Sequence, residues 1–290
     1  MGCSASTCAA APTKGAHAGR CVLDSEGQHV SFEYAARTWP SNKDQDRFAL
    51  LPGSKALACG IFDGHSINSV QNGRQQAELA AIALPTALLK RVAPILEPAE
   101  AEGGGVSGSA ASLAAEACFD EHQQGLEAQY RAEVSDELLA TKARLEHEIG
   151  ETMPLELPQT GGTTATVALC NAESIFVSWV GDSRAIVIEE RVGEDGACEL
   201  CAAPLTHDHN AQCPVENARL LAAGATTGCK DTHFNGYVCV PEAEGMLAVS
   251  RSLGDCPFHR RGAVSSTPDI YHAALKPTVR LGIGGTLSAP

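Results

Sequence analysis

Positive charge is scarce in this 290-residue chain: 21 lysines and arginines stand against 35 aspartates and glutamates, a formal net charge of −14. That balance argues against nucleic acid as a main partner, because binding a phosphate backbone needs a basic surface. A negative chain suits a site that gathers divalent cations, although most acidic proteins are merely soluble. No run approaches the roughly 18 apolar residues of a membrane span, and the N-terminus lacks the apolar centre of a secretory signal. The 12 cysteines are scattered from Cys3 to Cys256 instead of forming a dense disulfide framework, which fits reduced intracellular thiols. Cys198 and Cys201 form a close CxxC pair, but no second pair follows at zinc spacing, so a structural zinc is not expected. Internal repeats are absent. The remaining composition, 44% hydrophobic and 19% charged, is that of a chain able to bury a core.

Residues 1–19, rich in Ala, Ser, Gly and Cys, read as a flexible leader, with one domain expected over 20–290. Met1-Gly2-Cys3-Ser4-Ala5-Ser6 fits the pattern for myristoylation of Gly2. One myristoyl chain binds a membrane marginally, and Cys3 could add the second anchor by palmitoylation. The expectation is therefore a cytoplasmic protein, a monomer, held to a membrane surface by lipid. Residues 55–62 read as a strand that delivers Asp63-Gly64-His65 at its tip. Residues 69–91 look helical, with Pro85 expected to kink or interrupt them, and 110–149 read as one long or two shorter helices with a break near Ser135. After Pro158 the texture turns to β: residues 163–169, 174–180 and 185–190 are strand-like. Residues 214–223 form a short helix stopped by Gly224. Strands and helices are segregated, which points to an α+β fold.

The chemistry sits in short motifs. In Phe62-Asp63-Gly64-His65 a carboxylate at a strand end can bridge hard cations, which take oxygen ligands. Gly64 lets a backbone carbonyl approach a metal, and His65 could give a proton to a leaving oxygen. Alone this is a common turn after a strand. Its neighbours give it weight: Asn42-Lys43-Asp44-Gln45-Asp46-Arg47 upstream, then Gly161-Gly162-Thr163-Thr164-Ala165 and Val180-Gly181-Asp182-Ser183-Arg184. Thr206-His207-Asp208-His209 follows, with Glu216, Arg219 and Gly224-Ala225; then Ala248-Val249-Ser250-Arg251-Ser252-Leu253-Gly254-Asp255, and Val264 to Pro268-Asp269. Seven motifs in this order resemble those of the metal-dependent serine/threonine protein phosphatases of the PPM (type 2C) family.

The resemblance implies a β-sandwich of two antiparallel sheets flanked by helices, with a Mg²⁺ or Mn²⁺ pair at one end and phosphoprotein substrates. Asp63 would bridge the cations and Gly64 would ligate through its carbonyl. Asp46 would orient metal-held water, Asp182 would hold a weaker third cation, and His65 would protonate the serine or threonine oxygen. The substrate phosphate would meet Arg37 or Lys43; spacing does not decide between them. His207-Asp208-His209 reads as a structural turn more than a ligand set, and Ser183 is no nucleophile, because no G-x-S-x-G elbow surrounds it. One departure is large. The family continues to an apolar strand ending in DGxWD and later to DN, each giving a metal-binding aspartate, whereas no acidic residue follows Asp269 here. The pattern is C-terminally truncated. That leaves two readings open: a phosphatase with one cation site impaired, or a catalytically inactive, membrane-tethered binding module.

Overall fold

The structure, a computed structural model, describes residues 16–25, 28–37, 44–66, 70–96, 109–133, 136–150, 161–192, 197–228, 236–241, 243, 245–259, 262–275 and 279–284. Gly2, Cys3 and Lys43 lie outside these.

The chain opens with a hairpin, β1 (Ala16–Ser25) and β2 (Gln28–Arg37). β1 thus begins inside the segment read from sequence as a leader. Next come β3 (Arg47–Pro52), β4 (Leu57–Phe62) and the two-residue β5 (Gly64–His65), then helix α1 (Val70–Arg91). Two further helices, α2 (Ala110–Glu133) and α3 (Asp136–Ile149), part at the expected break near Ser135. The β-rich half follows: β6 (Gly162–Thr163), β7 (Ala165–Cys170), β8 (Ser174–Val180), β9 (Arg184–Val192) and β10 (Cys198–Pro204). Helix α4 (Pro214–Ala222), β11 (Thr226–Thr227), β12 (Val238–Cys239), β13 (Leu253–Gly254), α5 (Cys256–His259), β14 (Asp269–Ala274) and β15 (Val279–Gly284) complete the order.

Two antiparallel sheets form the body. One has five strands in the order β14-β8-β7-β4-β3, the other three in the order β10-β9-β15. Every residue of β7 and β8 is buried, so these central strands are covered on both faces, which explains why their sequences are mostly apolar, with only small hydroxyl residues between, instead of alternating with charge. On one face Ala165, Val167, Leu169 and Phe176 meet Ala77, Leu84 and Leu88 of α1 and Ala115 and Phe119 of α2. Each large side chain fully buried there contributes on the order of 1.5–3 kcal/mol. On the other face Ala168, Ile175, Val177 and Trp179 meet Ala185 and Val187 of β9 and Leu281 and Ile283 of β15. Sheet therefore packs on sheet, with helices α1 and α2 outside the larger one.

Pro85 does not interrupt α1: the helix runs on to Arg91. Pro85 is buried, between Leu84 and Leu88 of the face packed on the sheet, so packing of the helix outweighs the lost backbone bond. The next residue, Thr86, donates its hydroxyl back one turn to the Ile82 carbonyl (2.9 Å).

Candidate active site

Three chain segments converge at one end of the sandwich, each held by its own fastenings. The first is the Asp44-Gln45-Asp46 turn leading into β3. Arg47, with its side chain 5% exposed, donates to the carbonyls of Asp44 (3.2 Å) and Asp46 (2.8 Å) and, through Nε, to Glu78 of α1 (3.0 Å). Arg74 of α1 also donates to the Asp44 carbonyl (3.1 Å) and reaches its carboxylate (2.9 Å). The turn that carries Asp46 is thus tied to α1 at two points.

The second segment is the end of β4. The Asp63 N–H donates to Thr164 Oγ1 (3.1 Å), and the Thr164 N–H returns a bond to the Asp63 carbonyl (3.0 Å). Gly64 then packs on backbone: a Cβ there would lie 2.8 Å from the Gln45 carbonyl and would also strike that of Gly73. No side chain fits, and this sterically explains the glycine. Gly64 and His65 pair with Thr163 and Gly162, which pair in turn with Leu253 and Gly254, a three-stranded clasp across the site.

The third segment is the β8–β9 turn. Gly181 takes φ of +95°, and its N–H donates to His209 Nδ1 (3.2 Å) while its carbonyl accepts from the His209 N–H (3.0 Å). Thr164 Oγ1 also meets Ser183 Oγ at 2.7 Å, so one threonine links the Asp63 and Asp182 segments. Ser183 is buried and engaged in that link, in keeping with its dismissal as a nucleophile.

The electrostatics show how close these groups come. Burial, then the Asp46 charge with a mutual hydrogen bond, and lastly Asp182, push the Asp63 carboxyl up to about 7. Burial and Asp208 also raise Asp182. Carboxylates crowded enough to resist ionising together are missing a counter-charge, and an all-oxygen donor set matches a hard divalent cation. The residues present fit such an ion. Beside them His65 is pulled down by burial, but the Asp255 charge and hydrogen bond, with Asp63 and Asp182, carry it up to about 9.

Asp46, Asp63, Gly64, His65 and Asp182 are thus brought together. Arg37 is the last residue of β2, and its side chain lies outside the described residues, as do Lys43, Gly2 and Cys3. Sequence reasoning named Asp255 only as part of a motif and did not see it behind His65.

His207, His209 and Asp269 place potential ligand atoms within 4.8 Å of one another, yet they form a hydrogen-bonded prop. His209 Nδ1 accepts the Gly181 N–H, so the ring proton sits on Nε2 and points at Asp269 (3.1 Å). Asp269 also accepts from Arg251 (2.7 Å) and is held well below the usual carboxylate range, against the pull of burial, by His209 and Arg251. His209 stacks on Trp179 with centroids 5.8 Å apart.

The strand β15 bears on the missing carboxylate. It is an apolar strand beside β9, with Gly284 opposite Arg184, two residues from Asp182. The resemblance calls for such a strand ending in Asp-Gly; here Gly284-Gly285 stands at its tip.

Comparison with known proteins agrees with this geometry. The family description Protein phosphatase 2C matches residues 63–279. Protein phosphatase 1L of Bos taurus is 28% identical over 230 residues, covering 78% of this chain and 50% of its own length. The probable protein phosphatase 2C 48 of Oryza sativa subsp. japonica is 29% identical over 257 residues, covering 87% of this chain and 66% of its own. The chain thus spans half to two thirds of these relatives. A crystal structure of serine-threonine phosphatase 2C from Toxoplasma gondii superposes with a TM-score of 0.56 at 16% identity, covering 93% of this chain and 78% of that one, a likeness of fold. With more than half of its length matched to one family, this chain belongs to the protein phosphatase 2C family.

Proposed function

We propose that the chain carries a Mg²⁺- or Mn²⁺-dependent protein phosphatase site that hydrolyses phosphoserine and phosphothreonine. The observation that carries this reading is the convergence of Asp46, Asp63 and Asp182, crowded enough to raise Asp63 to about 7, beside a histidine raised to about 9. Asp63, the Gly64 carbonyl, Asp46 and Asp182 would hold the cations. When bound, a divalent cation supplies charge neutralisation at the phosphoryl oxygens and acidifies a water. His65 gives its proton to the departing serine or threonine oxygen, which would otherwise leave as a costly alkoxide. Arg37 or Lys43 orients the substrate phosphate. With Gly284 where the first of the two further carboxylates would stand, one cation would be held weakly, and turnover would need raised metal concentrations. The leader pattern supports residence on a membrane surface through Gly2 and Cys3, and Gly2→Ala should shift the protein to the soluble fraction.

The test is Mn²⁺-dependent hydrolysis of a phosphothreonine peptide and of 4-nitrophenyl phosphate by the full 290-residue chain. Asp63→Asn should lower the rate by several orders of magnitude, and Asp182→Asn by less, since electrostatic stabilisation is usually the largest catalytic term. Background turnover at every Mn²⁺ concentration would favour the inactive binding module.

A further inference from the structure

Asp255 follows β13 and is wholly buried. A buried carboxylate is costly unless its charge is paired, and here one oxygen takes the pairing. Oδ2 accepts from the Ser252 hydroxyl (2.7 Å) and meets His65 Nε2 at 2.6 Å. The other oxygen, Oδ1, has no partner among the described residues. The backbone is unusual as well: Asp255 takes φ of +41°, a conformation that persists in a non-glycine residue only when its surroundings over-determine it.

Those surroundings come from α2 and from the start of β6. Gln123 of α2 brackets Gly254, accepting its N–H (2.8 Å) and donating to its carbonyl (3.1 Å). The Asp255 N–H donates to the Gly161 carbonyl (2.9 Å). Gly162 of β6 presents a bare Cα to the carboxylate, and any side chain there would collide with it. A structural ion pair requires none of this. The arrangement places one carboxylate behind one imidazole, whose side chain is 27% exposed against 1% for Asp255. The ring therefore reaches from the open site back to the buried acid.

We propose that Asp255 is the positioning residue of His65, fixing the ring so that Nε2–H is spent on the buried carboxylate and Nδ1 faces the departing oxygen. This rests on the phosphatase reading above. As the water oxygen bonds to phosphorus and the bond from phosphorus to the serine or threonine oxygen breaks, the Nδ1 proton passes to that oxygen. His65 is left neutral, and Asp255 stays ionised throughout, taking no proton.

Two substrates separate this role from a structural one. A phosphothreonine peptide has a leaving oxygen that needs a proton, whereas 4-nitrophenyl phosphate does not. Asp255→Asn keeps the shape, and asparagine tolerates positive φ. It should cost about 10²-fold on the peptide, within the range of general acid catalysis, and about threefold or less on the nitrophenyl ester. In a His65→Gln background it should cost nothing further. An equal loss on both substrates, or a loss that adds to His65→Gln, overturns the proposal.

Nitrogen-15 NMR of the metal-free full chain gives a readout independent of turnover. His65, assigned by His65→Gln, should carry a strongly downfield Nε2 proton that is lost or moves upfield in Asp255→Asn. If that variant fails to fold, Ser252→Ala removes the competing donor and should move the same proton further downfield; an unmoved proton counts against the proposal. Absence of the downfield proton in the wild type overturns the positioning outright. Turnover of neither substrate with the proton present fails the phosphatase reading and leaves the positioning standing.

Discussion

Glu216 in α4 is the centre of a charged knot whose worth can be worked out. Its side chain is 2% exposed and accepts from Arg251 Nε (3.1 Å) and Nη2 (2.7 Å), Arg219 Nη2 (2.8 Å) and Ser250 Oγ (2.6 Å). Burial alone would raise the carboxyl. The bonds to Arg251, Arg219 and Ser250 win, and bring it from 4.5 down to about 2. A folded value below the unfolded one means stability that is present above pH 4.5 and lost as pH falls toward 2. About 2.5 units at 1.36 kcal/mol each is roughly 3 kcal/mol at neutral pH. Glu216→Gln keeps the shape and removes the charge, so it should destabilise by about that much at pH 7. Integrating the two titrations, the gap should shrink to roughly 1.4 kcal/mol at pH 3. Urea unfolding of both proteins at pH 7, 4 and 3 measures it. A gap that stays constant with pH would refute the reasoning, because the loss would then lie in packing and not in charge.

Asp63→Asn removes a carboxylate crowded by Asp46 and Asp182. Without metal at pH 7 it should melt above the wild type, and it should lack the rise in melting temperature that Mn²⁺ should give the wild type, as scanning fluorimetry with and without Mn²⁺ can show. A Cβ at Gly284 would meet nothing within 4 Å, so Gly284→Asp should be accommodated and should tighten Mn²⁺ binding in calorimetry; unchanged affinity would mean that the β15 tip does not face the cations. Gly162→Ala should destabilise by about 1–3 kcal/mol through overpacking against Asp255, and should depress peptide hydrolysis more than nitrophenyl ester hydrolysis.

The strands were legible where pattern and position agreed. β4 could be read from a short apolar run closed by Asp63-Gly64, and β7 and β8 from β-branched runs around polar turns. Gly224, with φ of +82°, ends α4 for the reason its sequence suggests. Pro85 misled because a local rule was set against a buried helix face that only the sheet supplies. The β1–β2 hairpin was missed because β1 opens among the small residues of the leader, although Val30, Phe32 and Tyr34 alternate with polar residues along β2. At the site, order of motifs brought Asp46, Asp63, His65 and Asp182 into one argument. The contact between His65 and Asp255 spans 190 positions, and no spacing rule reaches that far. β15 was equally opaque: the sequence drew attention to the absent Asp-Gly, whereas the apolar strand that would lead to it is present beside β9 with Gly284 at its tip.

The arginine ties between α1 and the Asp44–Asp46 turn make that helix a ruler for the site. Asp63 and Asp46 flank the β3–β4 ladder at its Phe62–Arg47 rung, and the Asp46 side is also tied to α1 through Arg47, Glu78 and Arg74. The gap between two acids that would share a cation is therefore bounded by the strand register on one side and by the seat of α1 on the other, and α1 is seated by Leu84 and Leu88, both fully buried. Mg²⁺ demands oxygens at about 2.0–2.1 Å in near-ideal octahedral array, while larger ions forgive more. Shaving a methyl from either leucine, far from any ligand, would then be felt at the metal-holding turn as well as in the core.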